Sequence, residues 1–209
     1  MKPWLIIPAK PFDEAKSRLA SVLSAPQRAT LSAHLLERTL RTALAADCFA
    51  QVLVVSRDPA ALLLAAQFAA LPLLEADADL NAAVEQACRQ AMALGGNAAL
   101  ILPSDLPRLH TTDLHALIAA FGDGKRVVIA PSGDGGTNAL LLPLPAPFPF
   151  AFGVDSYCTH YARAVSAGCT LQDVITATLR FDLDSPRDWE EMAMDAPFSV
   201  AALSEDSHL

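Results

Sequence analysis

The chain has 209 residues, 53% of them hydrophobic and 18% charged, with a net charge of −8 at pH 7. That length suits one domain with a sizeable core, and that balance belongs to packed proteins rather than disordered ones. An excess of acid this large argues against nonspecific binding to nucleic acid, which needs clustered Lys and Arg to neutralise phosphates.

In chain order, strands are expected near 4–7, 51–55, 71–75, 98–102, 126–130 and 138–142, and helices near 26–46, 59–69, 80–93, 111–121 and 157–167. The first strand runs into Pro8-Ala-Lys-Pro-Phe-Asp-Glu-Ala-Lys-Ser-Arg-Leu19. This places Lys10, Lys16 and Arg18 in the loop where open α/β sheets bind ligands. Three bases so close together in an acidic chain suggest an anion site, and with no glycine present the loop is neither a Walker nor a G-x-G-x-x-G loop. In the helix that follows, Leu31, Leu35, Leu36, Leu40 and Leu44 share one face, and Pro26 fits the first turn. Asn81 opens the third helix, where it either caps or reads a nucleobase edge.

The apolar run Ala98 to Leu102 ends at Asp105, set between Pro103 and Pro107. A buried strand that delivers one carboxylate to its C-terminal edge can hold a metal over a nucleotide phosphate. Thr111 or Thr112 is expected to cap the next helix, with Asp113 in its first turn. Gly133-Asp-Gly-Gly-Thr-Asn138 lies between two strands and reads either as a hairpin turn or as an anion cradle with the Thr137 hydroxyl. Pro143 to Phe152 is too rich in proline for a helix or a central strand. Phe152-Gly-Val-Asp-Ser156 then brings Gly153 and Ser156 to a helix N-terminus, a favourable place for anions. Leu179 to Phe181 looks strand-like, and alternation beyond it would put Asp182 and Asp184 on one side, within reach of Asp105 around Mg2+. Asp184-Ser-Pro also reads as a helix N-cap.

Other residues exclude alternatives. The apolar runs are all far shorter than the about 20 residues of a membrane span, and Met1-Lys2-Pro3-Trp4 does not open a secretory signal. No membrane association and a cytoplasmic location are therefore expected. Cys48, Cys88, Cys158 and Cys169 form no C-x-x-C pair and read as structural thiols. The five histidines, His160 among them, show no metal-ligand pairing and read as surface or satisfied groups.

The expected architecture is an α/β three-layer sandwich, Rossmann-like, around a mostly parallel mixed sheet. It would be one domain over 1–194 with a fraying tail at 195–209. The alanine-rich helices and the Pro-Phe segment leave room for a homodimer.

Taken together, Ile7-Pro-Ala-Lys-Pro, Ala15-Lys-Ser-Arg-Leu19, Leu80-Asn-Ala-Ala-Val-Glu-Gln-Ala87, Leu102-Pro-Ser-Asp-Leu-Pro107, Gly136-Thr-Asn-Ala-Leu-Leu-Leu142, Phe152-Gly-Val-Asp-Ser156 and Asp182-Leu-Asp-Ser-Pro186 resemble a known family. In this order they are similar to the 2-phospho-L-lactate guanylyltransferases of coenzyme F420 biosynthesis, including the relatives that use phosphoenolpyruvate or 3-phosphoglycerate. The resemblance implies a nucleotidyltransferase that binds GTP and Mg2+ and caps a three-carbon phospho-acid with GMP. It implies that Asp105, Asp182 and Asp184 hold metal, that Asp105, Lys10 and Lys16 are catalytic, and that Pro8, Lys10, Lys16 and Arg18 contact the nucleotide, with Ser56 and Asn81 as further contacts. Thr137, Gly153 and Ser156 would hold the phospho-acid, walled by the Pro-Phe-Pro-Phe-Ala-Phe segment. The chain lacks the G-G-x-S-x-R signature of sugar-type nucleotidyltransferases. Another nucleotide, such as CTP, remains an alternative on the same site, and a non-catalytic nucleotide sensor is the reading of a different class.

Overall fold

Trp4, Leu5, Ile6 and Ile7 are apolar without alternation, the pattern of a strand covered on both faces, and Trp4–Pro8 is the central strand β1. The structure, a computed structural model, describes residues 2–194, so the tail expected at 195–209 lies outside the described residues. The strands that follow are β2 (Gln51–Ser56), β3 (Leu71–Leu74), β4 (Ala98–Ile101), β5 (Arg126–Pro131), β6 (Thr137–Pro143) and β7 (Thr170–Asp173). They form one sheet in the order β3-β2-β1-β4-β6-β5-β7. β6 is antiparallel to β4 and β5, and the other pairs are parallel. The helices are α1 (Ala25–Ala46), α2 (Pro59–Gln67), α3 (Leu80–Ala93), α4 (Thr111–Phe121), α5 (Ser156–Ser166), α6 (Ala177–Arg180) and α7 (Pro186–Met194).

Side-chain parity along the strands divides the core into two layers. Leu5, Ile7, Val52, Val54 and Leu100 pack against Leu36 and Leu40 of α1, Ala61 of α2, and Leu114 and Leu117 of α4. Trp4, Ile6, Leu53, Val55 and Ile101 face Val84, Ala87 and Ala91 of α3 and Ala164 of α5. The expected three-layer sandwich is the observed one. Leu44 departs from its predicted stripe and is 48% exposed, because in the last turn of α1 the buried positions are Ala43 and Ala46 and Leu44 falls to the side of that face.

Three local readings are corrected. Leu179 lies in the short helix α6, since the Thr176 hydroxyl accepts the Leu179 N–H at 3.0 Å and closes a turn that the short alternating Leu-Arg-Phe segment cannot override. Helix α4 starts after His110, whose N–H is accepted by Asp113 at 2.9 Å. The buried Asp113 also accepts the hydroxyls of Thr176 and Thr178. For α7 the reciprocal bonds run between Ser185 and Asp188, a capping box that leaves the Asp184 carboxylate out of the cap.

The turn between α3 and β4 has little room. A Cβ on Gly96 would stand 2.9 Å from the Ala91 carbonyl oxygen and from Cδ1 and Nε1 of Trp4. Gly96→Ala is therefore expected to lower stability by about 1–3 kcal/mol, read as a fall in the urea midpoint at constant slope.

Candidate active site

The C-terminal ends of β1, β2 and β4 point to one edge of the sheet. Because β6 is antiparallel to β4, with Ile101 opposite Leu140, its first residues return to that same edge. A cavity of about 490 Å3 opens there, where open α/β sheets bind ligands.

After β1 the chain turns over Pro11, whose carbonyl accepts the amides of Glu14 and Ala15. Lys16 then takes the left-handed conformation, with φ of 56°, at a cost of about 1–2 kcal/mol for a non-glycine residue. That kink starts the single turn Ser17–Leu19 and aims the Lys16 side chain, 7% exposed, at the sheet edge. Its Nζ donates to Asp105 Oδ2 at 2.9 Å and lies 4.0 Å from Asp184 Oδ1. Arg18 donates to Asp184 Oδ2 at 2.7 Å.

Asp105 follows β4, and its carbonyl accepts the Leu183 N–H at 3.1 Å. This bond helps to bring Asp182 and Asp184 to the site. Burial, and next the charge of Asp105, push the Asp182 carboxyl up to about 6. Asn138, at the start of β6, donates to the Leu179 carbonyl at 2.8 Å and faces Asp182 Oδ1 at 3.4 Å. Among the described residues no three His, Cys, Asp or Glu side chains converge as a metal cluster. The Lys16 ammonium sits between two of the three expected carboxylates instead. The donor set still fits a hard divalent cation. Mg2+ is commonly held by one or two carboxylates plus substrate phosphates, and the half-buried Asp182 lies near enough to Asp105 to feel its charge.

On the β6 side the wall is mostly hydroxyls and amides, with the Asp134 carboxylate also lining it. Thr137 and Ser156 are buried, and the Ser156 hydroxyl donates to Thr137 Oγ1 at 3.1 Å. Gly153 has φ of 140°, a conformation open to glycine, and its carbonyl accepts the Ser156 N–H at the start of α5. The β5–β6 turn is a hairpin, and within it Asp134 binds the Ser132 hydroxyl, which is foremost among the causes holding its carboxyl low. Of the aromatic segment, Phe152 alone lines the cavity. Phe148 and Phe150 are anchored in the core.

Pro8, Lys10, Lys16, Asp105, Thr137, Gly153, Ser156, Asp182 and Asp184 all line the cavity. Arg18 stands outside its lining and reaches the site through Asp184. Ser56 does not: it is fully buried, and its hydroxyl accepts the Asp58 N–H. Asn81 does not either, since its amide pairs with both backbone groups of Phe152. Charged lining residues that the sequence reading missed include Glu14, Arg57 and Glu75. Arg57, directly after β2, pairs with Glu14 and lies 3.8 Å from Glu75 at the end of β3. A base directly after a strand was the available signal for Arg57, the same one that marked Lys10.

Comparison with known proteins agrees with this geometry. A phosphoenolpyruvate guanylyltransferase of Rubrobacter xylanophilus is 40% identical over 189 residues, covering 90% of this chain and 92% of that protein. A 3-phospho-D-glycerate guanylyltransferase of Colwellia psychrerythraea is 30% identical, covering 93% and 92%. A crystal structure from Desulfovibrio desulfuricans, assigned to the nucleotide-diphospho-sugar transferases, superposes with a TM-score of 0.78 at 16% identity, covering 97% of this chain and 94% of that one. The glucosyl-3-phosphoglycerate synthase of Mycobacterium tuberculosis, solved with Mn2+, UDP and phosphoglyceric acid, gives 0.62 at 13%, covering 97% and 77%; both show the shared fold. The family model described as "Guanylyl transferase CofC like" matches residues 3–197, and the chain belongs to that family of nucleotidyltransferases.

Proposed function

We propose that this chain transfers GMP from GTP to phosphoenolpyruvate, releasing pyrophosphate, with Mg2+ as its metal and in the service of coenzyme F420 biosynthesis in the cytoplasm. The observation that carries the reading is the order of chemistry along one sheet edge: cations and carboxylates at β1 and β4, then a hydroxyl and amide cradle at β6 and α5. The names of the relatives support the acid. Among the described residues no helix is long and apolar enough to cross a membrane.

An oxygen of the acid's phosphate attacks the α-phosphorus of GTP, and the bond from that phosphorus to the bridging oxygen breaks as pyrophosphate leaves. Bound Mg2+ supplies positive charge that neutralises the triphosphate. Asp105 and Asp182 would hold it, with Asp184 beside them. Lys10, Lys16 and Arg18 take the triphosphate, and Thr137, Gly153 and Ser156 orient the acid for in-line attack. Pro8, Arg57, Glu75 and Leu80 also line the cavity, and the nucleoside is assigned to their side of it.

The test is pyrophosphate release with Mg2+, using GTP or CTP against phosphoenolpyruvate, 2-phospho-L-lactate and 3-phospho-D-glycerate, alone and in pairs. Turnover is expected with GTP and phosphoenolpyruvate together and with neither alone. Turnover only with 3-phospho-D-glycerate, or only with CTP, would replace the named substrate, and nucleotide binding without turnover in any pair would make the chain a sensor. Ser156→Ala should raise the KM for the acid about tenfold, the loss of one hydrogen bond to a charged group, and leave that for GTP nearly unchanged.

A further inference from the structure

Three side chains meet behind the acid cradle. His160, on α5, is fully buried and does not line the cavity. Its Nε2 accepts the Ala151 N–H at 2.9 Å, and its Nδ1 lies 3.0 Å from Thr137 Oγ1. An amide can only donate, so Nε2 presents a lone pair. Burial, with the nearby Arg163 charge, pushes this imidazole down to about 4, so it is neutral near pH 7 and carries one N–H. That proton must then sit on Nδ1 and point at Thr137 Oγ1.

The same oxygen also accepts the Ser156 hydroxyl. Two donated bonds occupy both lone pairs of Thr137 Oγ1, and what remains is its own hydrogen. Thr137 lies on the cavity wall, so that hydrogen is available to whatever fills the cradle. Phosphate and carboxylate oxygens only accept, and a hydroxyl turned the other way would meet them with a lone pair.

We propose that His160 is a positioning residue for the phospho-acid: its Nδ1–H fixes the Thr137 hydroxyl as a donor toward the cavity. The same ring sets the wall above. Its centroid lies 4.8 Å from that of Phe152, edge to face, and its bond to Ala151 holds the segment leading to Phe152. Arg163, one turn further along α5, donates to the carbonyls of Pro149 and Phe150 at 2.8 Å each. One face of α5 thus sets both the donor and the wall of the cradle.

The inference rests on Thr137 being an acid contact, and two measurements separate its failure from that of the guanylyltransferase reading. The first needs no activity: imidazole nitrogen NMR of the wild-type protein should show His160 protonated at Nδ1 alone from pH 6 to pH 8. A proton on Nε2, or titration near the ordinary histidine value, would overturn the proposal. The second is kinetic. His160→Phe should raise the KM for phosphoenolpyruvate about tenfold or more, while the KM for GTP and kcat stay within about threefold. His160→Asn, whose Nδ2 stands where Nδ1 stood, should restore most of the loss. In the Thr137→Val background His160→Phe should cost little more, because the two act as a unit. Equal rises in both KM values, or effects that multiply in the double variant, would reduce His160 to a packing residue. If His160→Phe fails to fold, the Asn variant and the wild-type spectrum still decide. If the wild-type protein turns over no acid, the guanylyltransferase reading falls and the spectrum alone judges the hydroxyl's direction.

Discussion

Asp105→Asn should lower kcat by about a thousandfold or more, since it withdraws charge from the one site where cation, triphosphate and reacting phosphorus must meet. The amide keeps the shape of the carboxyl but offers a cation only a weak neutral oxygen, and it leaves Lys16 with Asp184 at 4.0 Å as its nearest anion. The fold should survive. The Lys16 side chain is 7% exposed and that of Asp105 29%, so losing their pair costs more than losing a surface pair, about 1–3 kcal/mol, eased by Asp184 at 4.0 Å from Lys16. A second effect works the other way. The Asp182 carboxyl is raised by burial and then by Asp105, so the folded chain binds a proton more tightly there than the unfolded chain does. That contribution to stability is full below about pH 4 and is lost as pH rises through about 6. At neutral pH the folded state therefore carries the cost of an ionised Asp182, and removing the Asp105 charge lessens it. The two effects oppose each other, so the thermal midpoint at pH 7.5 should fall by about 5 °C or less in a variant that is nearly inactive. In the wild-type enzyme, metal-supported turnover should fall as pH drops through about 6, where Asp182 takes up its proton. Near-normal turnover in Asp105→Asn, or a large loss of stability with it, would remove Asp105 from the centre of the site.

How far the sequence revealed this arrangement depended on how locally each feature was determined. Strands β1, β2 and β4 were readable because burial on both faces leaves an uninterrupted apolar run. Strand β7, Thr170–Asp173, was not: it is four residues long, half exposed and paired only with β5, so its composition carries little β signal. Helix α6 was mistaken for a strand because its deciding contact is a cap from Thr176, and Thr176 is itself held by Asp113 from another helix.

The site shows the same division. Lys10, Lys16 and Asp105 follow the rule that open α/β sheets gather ligands at the C-terminal ends of their strands, and the rule needs no side-chain geometry. Ser56 and Asn81 satisfied the same rule by position and failed by direction. Ser56 turns into the protein to meet Asp58, and Asn81 spends its amide on the Phe152 backbone. Glu75 could not be found from its neighbours, because its place on the cavity wall follows from where β3 ends. The His160 contact to Thr137 spans 23 residues between β6 and α5, and no local sequence pattern points to it.

Lys16→Met should change metal binding and turnover in opposite directions. The Lys16 ammonium lies 2.9 Å from Asp105 and also faces Asp184. A divalent ion bound there must compete with it, while an arriving triphosphate gives the ammonium a new partner. Methionine keeps most of the side-chain length and buried volume but removes the charge. Asp105, Asp182 and Asp184 would then stand with Arg18 as their remaining cation at short range. Without nucleotide, the variant should bind Mn2+ or Mg2+ several-fold more tightly than wild type, because no ammonium has to be displaced. Turnover should nevertheless fall about a hundredfold or more, because charge developing on the leaving pyrophosphate loses a positioned donor. Calorimetric titration of the nucleotide-free proteins with Mn2+, set beside kcat for both, reads the two effects separately. Weaker metal binding in the variant would mean that Lys16 supports the carboxylates rather than competing for them. Unchanged turnover would mean that Lys10 and Arg18 carry the triphosphate without it.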